Sequence, residues 1–277
     1  MKKLYEETHI QDIATAIREK NGATDTYKPS EMAEAIMNIV TGGSGGLEDM
    51  IAGNPIDLYS EAESVEKNAF SYNPSIVSVT MPNCNTFGYE CFAYCPNLEQ
   101  VSLSKATKID NRAFRGCSKL SVINAPMVTE IGSNTLQNSG LLQIPSAENI
   151  TGILTYGFAN CSITEANLPS LTELEAHAFN GCKQLVEVNI GEGLKRIPHN
   201  VFLNCSVLEI VILRSPDLIT LQNINAFDNT LIESGNGYIY VPVTLVDSYK
   251  SETNWSTYAN QIRAIEAYPE ICGEVTI

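Results

Sequence analysis

Positive charge is scarce in this chain of 277 residues: 17 Lys and Arg stand against 32 Asp and Glu, a formal net charge of −15. A surface that acidic repels phosphate backbones instead of releasing their counterions, which excludes nucleic acid as a natural partner. Tryptophan occurs once and histidine three times, so a histidine-based metal or acid–base site has little material to draw on. No segment approaches the ~20 apolar residues of a membrane-spanning helix. The opening residues, Met1-Lys2-Lys3-Leu4-Tyr5-Glu6-Glu7-Thr8, are not followed by the apolar run of a signal peptide. The location expected from that is cytoplasmic, with release or association with a virion left open and a cell-surface position in tension with the missing signal. Missing too are HExxH, a GxGxxG after a strand, a phosphate-binding Walker loop and an Asp-rich calcium loop. Nothing here meets the first requirements of an active site, and no enzyme and no cofactor is expected.

What the chain does have is repetition. A hydrophobic anchor recurs at Phe70, Phe92, Phe114, Leu136, Phe158, Phe179, Phe202 and Phe227, with spacings of 22, 22, 22, 22, 21, 23 and 25 residues. A fixed period of that length is the mark of a solenoid of stacked coils. Around each anchor the same pattern returns. In the third coil Ile109 is five before Phe114, Cys117 three after, Leu120 six after, Ile123 nine after and Ala125 eleven after. Leu120, Ile123 and Ala125 have the L-x-x-L-x-L form of a leucine-rich-repeat strand, repeated as Leu98, Val101, Leu103, as Leu185, Val188, Ile190 and as Leu208, Val211, Leu213.

Eight cysteines would usually raise the question of a disulfide framework. Five of them, Cys95, Cys117, Cys161, Cys182 and Cys205, sit three residues after an anchor, a repeat position whose simplest role is packing as a small buried hydrophobe. Cys84, Cys91 and Cys272 follow no zinc-type pairing. The histidines at 177 and 199 lie two and three residues before their anchors and are expected to point differently on neighbouring coils. Sequons such as Asn160-Cys161-Ser162 fall on core cysteine positions.

The chain divides unevenly. Residues 1–40 read as two short amphipathic helices: Thr8 and Gln11 form a capping box before Ile10, Ile13, Ala14 and Ile17, and Pro29-Ser30-Glu31 opens a second stripe of Met32, Ala35, Ile36 and Ile39. A unit that small buries too little to stand alone, so residues 8–40 suggest docking or a homo-oligomer. Residues 41–46 are a Gly-rich linker; Gly42-Gly43-Ser44-Gly45-Gly46 matches GxSxG literally but lacks the strand and helix a nucleophile elbow needs. Residues 47–237 form the solenoid. In the fourth coil Leu136 and Ser139 replace Phe and Cys, and a strand is expected early, at Leu141, Leu142 and Ile144; this is either a scar of repeat decay or a bulge that re-aims the face. Residues 238–277 are expected to cap the stack, with a last strand at Tyr238–Pro242, short helical pieces, and Trp255 as a buried anchor.

Ala113-Phe114-Arg115-Gly116-Cys117-Ser118-Lys119-Leu120 and Ala178-Phe179-Asn180-Gly181-Cys182-Lys183-Gln184-Leu185 resemble the BspA-like (Treponema pallidum type) leucine-rich-repeat family over about residues 60 to 230. The resemblance implies a right-handed superhelix of short parallel strands with irregular returns, and adhesion or protein binding without catalysis. Ile13-Ala14-Thr15-Ala16-Ile17-Arg18, with Tyr27-Lys28-Pro29 and Glu31-Met32-Ala33, is similar to an N-terminal module of prophage tail-associated proteins, which makes a tail component the alternative to an adhesion module. In either case the expected partner is a protein or a carbohydrate. The surface to receive it would be a concave sheet face, built from strand positions eight and ten residues after the anchors, or seven and nine after Phe158, which follows the irregular coil. Its candidates are Gln100, Ser102, Asn124, Glu165, Asn167, Glu187 and Asn189, flanked by Ser78, Thr80 and Val122. Ile210 and Ile212 would make a small apolar patch at its end.

Overall fold

A computed structural model describes residues 54–272. Every paired strand in it runs parallel to its neighbour, and neighbours are about one coil apart in sequence. The main sheet is built from the strand segments of the repeat. Ile56–Tyr59, Ile76–Thr80, Gln100–Ser102 and Val122–Asn124 make one part; Glu165–Leu168, Glu187–Ile190, Ile210–Leu213, Tyr238–Val241 and Ile262–Ala264 make the other. A second row of two-residue strands, among them Lys108–Ile109, Glu130–Ile131 and Gly152–Ile153, lies five to six residues before the anchors.

The side-chain period of two explains this placement. After Phe70, Phe92, Phe114, Phe179 and Phe202, positions six, nine and eleven point inward and are buried, as Leu98, Val101 and Leu103 or Leu185, Val188 and Ile190 show, and after Phe158 the same pattern comes one residue earlier, at Ile163, Ala166 and Leu168. Between the two rows of strands the anchors stack. Phe70, Phe92 and Phe114 lie ring over ring with centroids 5.0 and 5.5 Å apart, and Phe158, Phe179, Phe202 and Phe227 continue at 5.6, 5.7 and 5.5 Å. Leu136, fully buried, fills the gap between the two columns. The upper column ends on the C-terminal segment, where Phe227 meets Trp255 at 6.1 Å and Tyr258 at 5.3 Å. Trp255 is fully buried and its indole N–H donates to the carbonyl of Ile219 at 2.7 Å.

Two further features of the coil were not anticipated from the pattern. The residues two before and two after nearly every anchor take left-handed backbone angles: Asn68 and Tyr72 around Phe70, Arg112 and Gly116 around Phe114, His177 and Gly181 around Phe179. These paired reversals turn the chain tightly about the anchor and aim its amides along the stack. Thus the N–H of Phe92 donates to the carbonyl of Ala113 at 2.9 Å and that of Tyr94 to Arg115 at 2.6 Å, with equivalents in the coils above. The five repeat cysteines use the same direction in reverse. Each thiol lies 3.1 Å from the carbonyl oxygen of the preceding coil's anchor: Cys95 on Phe70, Cys117 on Phe92, Cys161 on Leu136, Cys182 on Phe158 and Cys205 on Phe179.

Two expectations need correction, and a third holds with an addition. Residues 141–151 form no strand: Leu141 and Ile144 are buried as predicted, but Pro145 supplies no amide, Ser146 is left-handed at φ 47°, and a 3-10 turn follows at Ala147–Asn149. The main sheet is therefore split at the fourth coil. Tyr238–Val241 is not the last strand, because Ile262–Ala264 adds one more beside it. His177 and His199 do diverge, their rings standing at 89°, yet they touch, with centroids 5.5 Å apart.

Candidate functional site

The parallel register sorts the outward side chains of the main sheet into two rows. In the C-terminal part Glu165 pairs with Glu187, Ile210 and Tyr238 in turn, and Asn167 pairs with Asn189, Ile212 and Tyr240. In the N-terminal part the rows are Asp57, Ser78, Gln100, Val122 and Tyr59, Thr80, Ser102, Asn124. The seven predicted residues thus fall into two groups, Gln100, Ser102 and Asn124 on one side of the irregular coil and Glu165, Asn167, Glu187 and Asn189 on the other. The break at residues 141–151 keeps them from forming one continuous row.

The N-terminal group is quiet chemically. Ser78 donates to Asp57 at 2.5 Å, and Val122, 51% exposed, interrupts the polar row. The C-terminal group is strained electrostatically. Glu165 and Glu187 occupy the same register position on adjacent strands, which lie about 4.8 Å apart in a sheet. Partial burial pushes the carboxyl of Glu187 up from its ordinary value, and the charge of Glu165 pushes it further, while Arg214 pulls it back. Arg214 is the residue that the sequence pattern missed. Lying one position past the strand Ile210–Leu213, it donates from Nε to Oδ1 of Asn189 at 2.9 Å and from Nη2 to the main-chain oxygen of Ile271 at 2.8 Å.

Beyond Asn189 the face turns apolar, though not as an open patch. Ile212 is only 2% exposed and Tyr240 7%, because Ile265, Tyr268 and Ile271 pack over them. Half-buried Ile210 and exposed Tyr238 remain beside the covered residues, and Arg263 lies over the Tyr238 ring at 4.7 Å.

His177 and His199 continue a surface ladder of rings that begins at Tyr156. His177 stacks on Tyr156 at 4.4 Å and is flanked by the amides of Asn180 at 2.9 Å and Asn200 at 3.3 Å. Burial lowers its pKa, and His199 lowers it further. Among the described residues no group of three or more His, Cys, Asp or Glu is arranged to hold a metal ion, and no helix is long and apolar enough to cross a membrane.

The BspA type leucine rich repeat region matches residues 50–143 and 129–237, in six copies. The chain belongs to that family. No curated protein matches the sequence. Among solved structures, the pneumococcal vaccine antigen PcpA is similar at 14% identity and a TM-score of 0.47, covering 74% of this chain and 60% of its own. A T. pallidum leucine-rich-repeat protein is similar at 20% identity and a TM-score of 0.40, covering 57% of this chain and 69% of its own. A leucine-rich cell-surface protein of Faecalibacterium prausnitzii follows at 15% identity and 0.36, covering 73% and 83%. The BspA-type match begins at residue 50. The prophage-like module and the assembly segment at 8–40, the linker at 41–46 and His9 lie outside both that match and the described residues, and the side chain of Cys272 lies outside the latter.

Proposed function

We propose that this BspA-type repeat protein is a non-catalytic binding module that takes a protein or glycan ligand on the outward face of its main sheet. Glu165, Asn167, Glu187 and Asn189 would make the central contacts, with Gln100, Ser102 and Asn124 as a second polar strip. The observation that carries the reading is the side-by-side placement of Glu165 and Glu187. Like charges directly opposed across strands cost stability, and a solvated sheet row accepts Thr or Ser without that cost. A pair of carboxylates beside two carboxamides is suited to cationic side chains or sugar hydroxyls, whose donors would relieve the repulsion.

An array of glycans and peptides probed with the full chain tests this. Glu165→Lys with Glu187→Lys should abolish the principal signal. Binding that survives both reversals, together with Ser102→Trp and Asn124→Trp, would place the ligand on another surface.

A further inference from the structure

The last described residues do something that stacking coils does not require. Ile262 is in the main core and Arg263 and Ala264 complete its strand, but after Ala264 the chain turns back across the outward face of the sheet. There Ile265, Tyr268 and Ile271 pack on Ile210, Ile212 and Tyr240 as a cluster of their own, on the opposite side of the sheet from the core. Tyr268 meets Tyr240 edge to face at 5.1 Å and 80°. Arg214 fastens the segment by its main chain, at the carbonyl of Ile271, while its other arm holds Asn189. The only structure within the segment is a 3-10 turn at Ile265–Ala267 and the four-residue helix Pro269–Cys272. A helix of that length has no stability of its own, so the seat beneath it sets its position. A segment with few buried side chains and so little regular backbone opens at a small fraction of the free energy that opens a core strand.

A seat that accepts two apolar side chains six residues apart with an aromatic ring between them, and takes a main-chain carbonyl on an arginine fork, has the chemistry of a peptide site. We propose that the outward face of Ile210–Leu213 and Tyr238–Val241 is a docking surface for a short apolar peptide, and that residues 265–272 fill it in cis as a built-in stand-in. This rests on the reading that the sheet face takes a ligand, and it adds the ligand's class and its competitor. The seat adjoins the polar group through Arg214 and Asn189, so a peptide lying across Glu187 and Asn189 reaches the apolar half only by displacing the C-terminal segment. A tethered occupant is present at an effective concentration in the millimolar range, which holds the seat against weak ligands and yields it to strong ones.

The probe is a fluorescein-labelled synthetic peptide of residues 265–277, titrated under reducing conditions into the full chain and followed by anisotropy. The wild type, its seat filled, should bind weakly. Ile265→Asp with Ile271→Asp, which releases the tethered segment, should bind at least about tenfold more tightly. Adding Ile212→Asp to that background should remove the gain. Equal binding by the wild type and the released variant, or binding that persists with Ile212→Asp, overturns the proposal. A measurement on the unaltered chain guards against a misfolded variant: amides of 265–272 should exchange at least about a hundredfold faster than those of 210–213, and equal protection overturns the proposal too. Glu165→Lys with Glu187→Lys leaves the seat intact. A result in which those reversals leave array binding unchanged while the labelled peptide behaves as stated would refute the polar-row reading and spare this one.

Discussion

The thiol of Cys117 lies 3.1 Å from the carbonyl oxygen of Phe92, one coil below, and the ring of Phe92 lies 5.5 Å from that of Phe114, three residues before Cys117. One short stretch of each repeat therefore makes both the apolar and the polar contact to its neighbour. This is why the spacing of Phe and Cys is kept in register: a thiol fits beside the ring and still has a weak donor for the carbonyl beneath.

That arrangement predicts inert cysteines and a stability limit in alkali. Burial pushes the thiols of Cys161 and Cys205 up to about 12 from an ordinary 9.0. A folded-state pKa above the unfolded one means that the neutral thiol is favoured by folding, so the contribution is whole below pH 9 and is lost as the pH climbs from about 9 to about 12. Denaturant midpoints should be flat between pH 7 and 8.5 and fall beyond. A thiol reagent should label the described cysteines of the native chain only at the rate of unfolding. Fast labelling of Cys117 or Cys182 in the folded state would contradict the burial.

The anchor column can be probed through its own exception. Phe114→Ala removes a ring packed between Phe92 and the buried Leu136, and should cost about 3–5 kcal/mol in denaturant unfolding. Phe114→Leu should cost much less, about 1.5 kcal/mol, because the fourth coil already stacks with Leu at this position. Equal losses for the two variants would mean that ring-on-ring geometry, not apolar volume, holds the coils together.

Much of this was legible because a solenoid repeats its environment. A Phe every 22 residues or so, with Leu and Val at fixed offsets, fixes both what is buried and which strands pair. The left-handed residues flanking the anchors were less legible, since Tyr94, Arg112 and His177 take a conformation usually signalled by Gly or Asn. From the third coil onward the position two after the anchor does carry the signal when read as a column, as Gly116, Asn138, Asn160, Gly181, Asn204 and Asn229, while the first two coils have Tyr72 and Tyr94 there. Arg214 and the cover over Ile212 were not legible at all. They join residues 57 positions apart, Arg214 and Ile271, through a segment outside the repeat, and no period reports such a contact. The split sheet was half legible, in that Leu136 and Ser139 mark the altered coil, while the apolar Leu141, Leu142 and Ile144 imitate a strand that Pro145, with no amide to give, does not continue.

The column two after the anchors makes a separate prediction. Gly181 has φ +74°, and a methyl group there would come within 2.0 Å of Oδ1 of Asn160, whose own Nδ2 donates to Asn138. Gly181→Ala should destabilise the chain by about 1–2 kcal/mol from the backbone alone, with the steric clash added. Pairing it with Asn160→Ala removes the clash and leaves the backbone cost. A thermodynamic cycle should therefore show the double variant more stable than the sum of the singles predicts. Strict additivity would mean that the Asn160 side chain swings away freely.

The carboxylate pair makes the last prediction, and its sign separates it from an ordinary surface charge. Because burial and Glu165 raise the pKa of Glu187 above 4.5 in the folded chain, folding favours its protonated form. Its contribution is favourable below the unfolded pKa and is lost as the pH rises through the folded one, so at neutral pH the ionised group opposes folding. Glu187→Gln, which keeps the shape and removes the charge, should therefore raise the melting temperature at pH 7 and leave it unchanged at pH 3, where the wild-type carboxyl is already neutral. Melting curves of the two proteins at the two pH values decide the matter. A variant less stable than the wild type at pH 7 would show that the attraction of Arg214 outweighs burial and Glu165 together, and the electrostatic cost that singles out this face as a ligand site would then be absent.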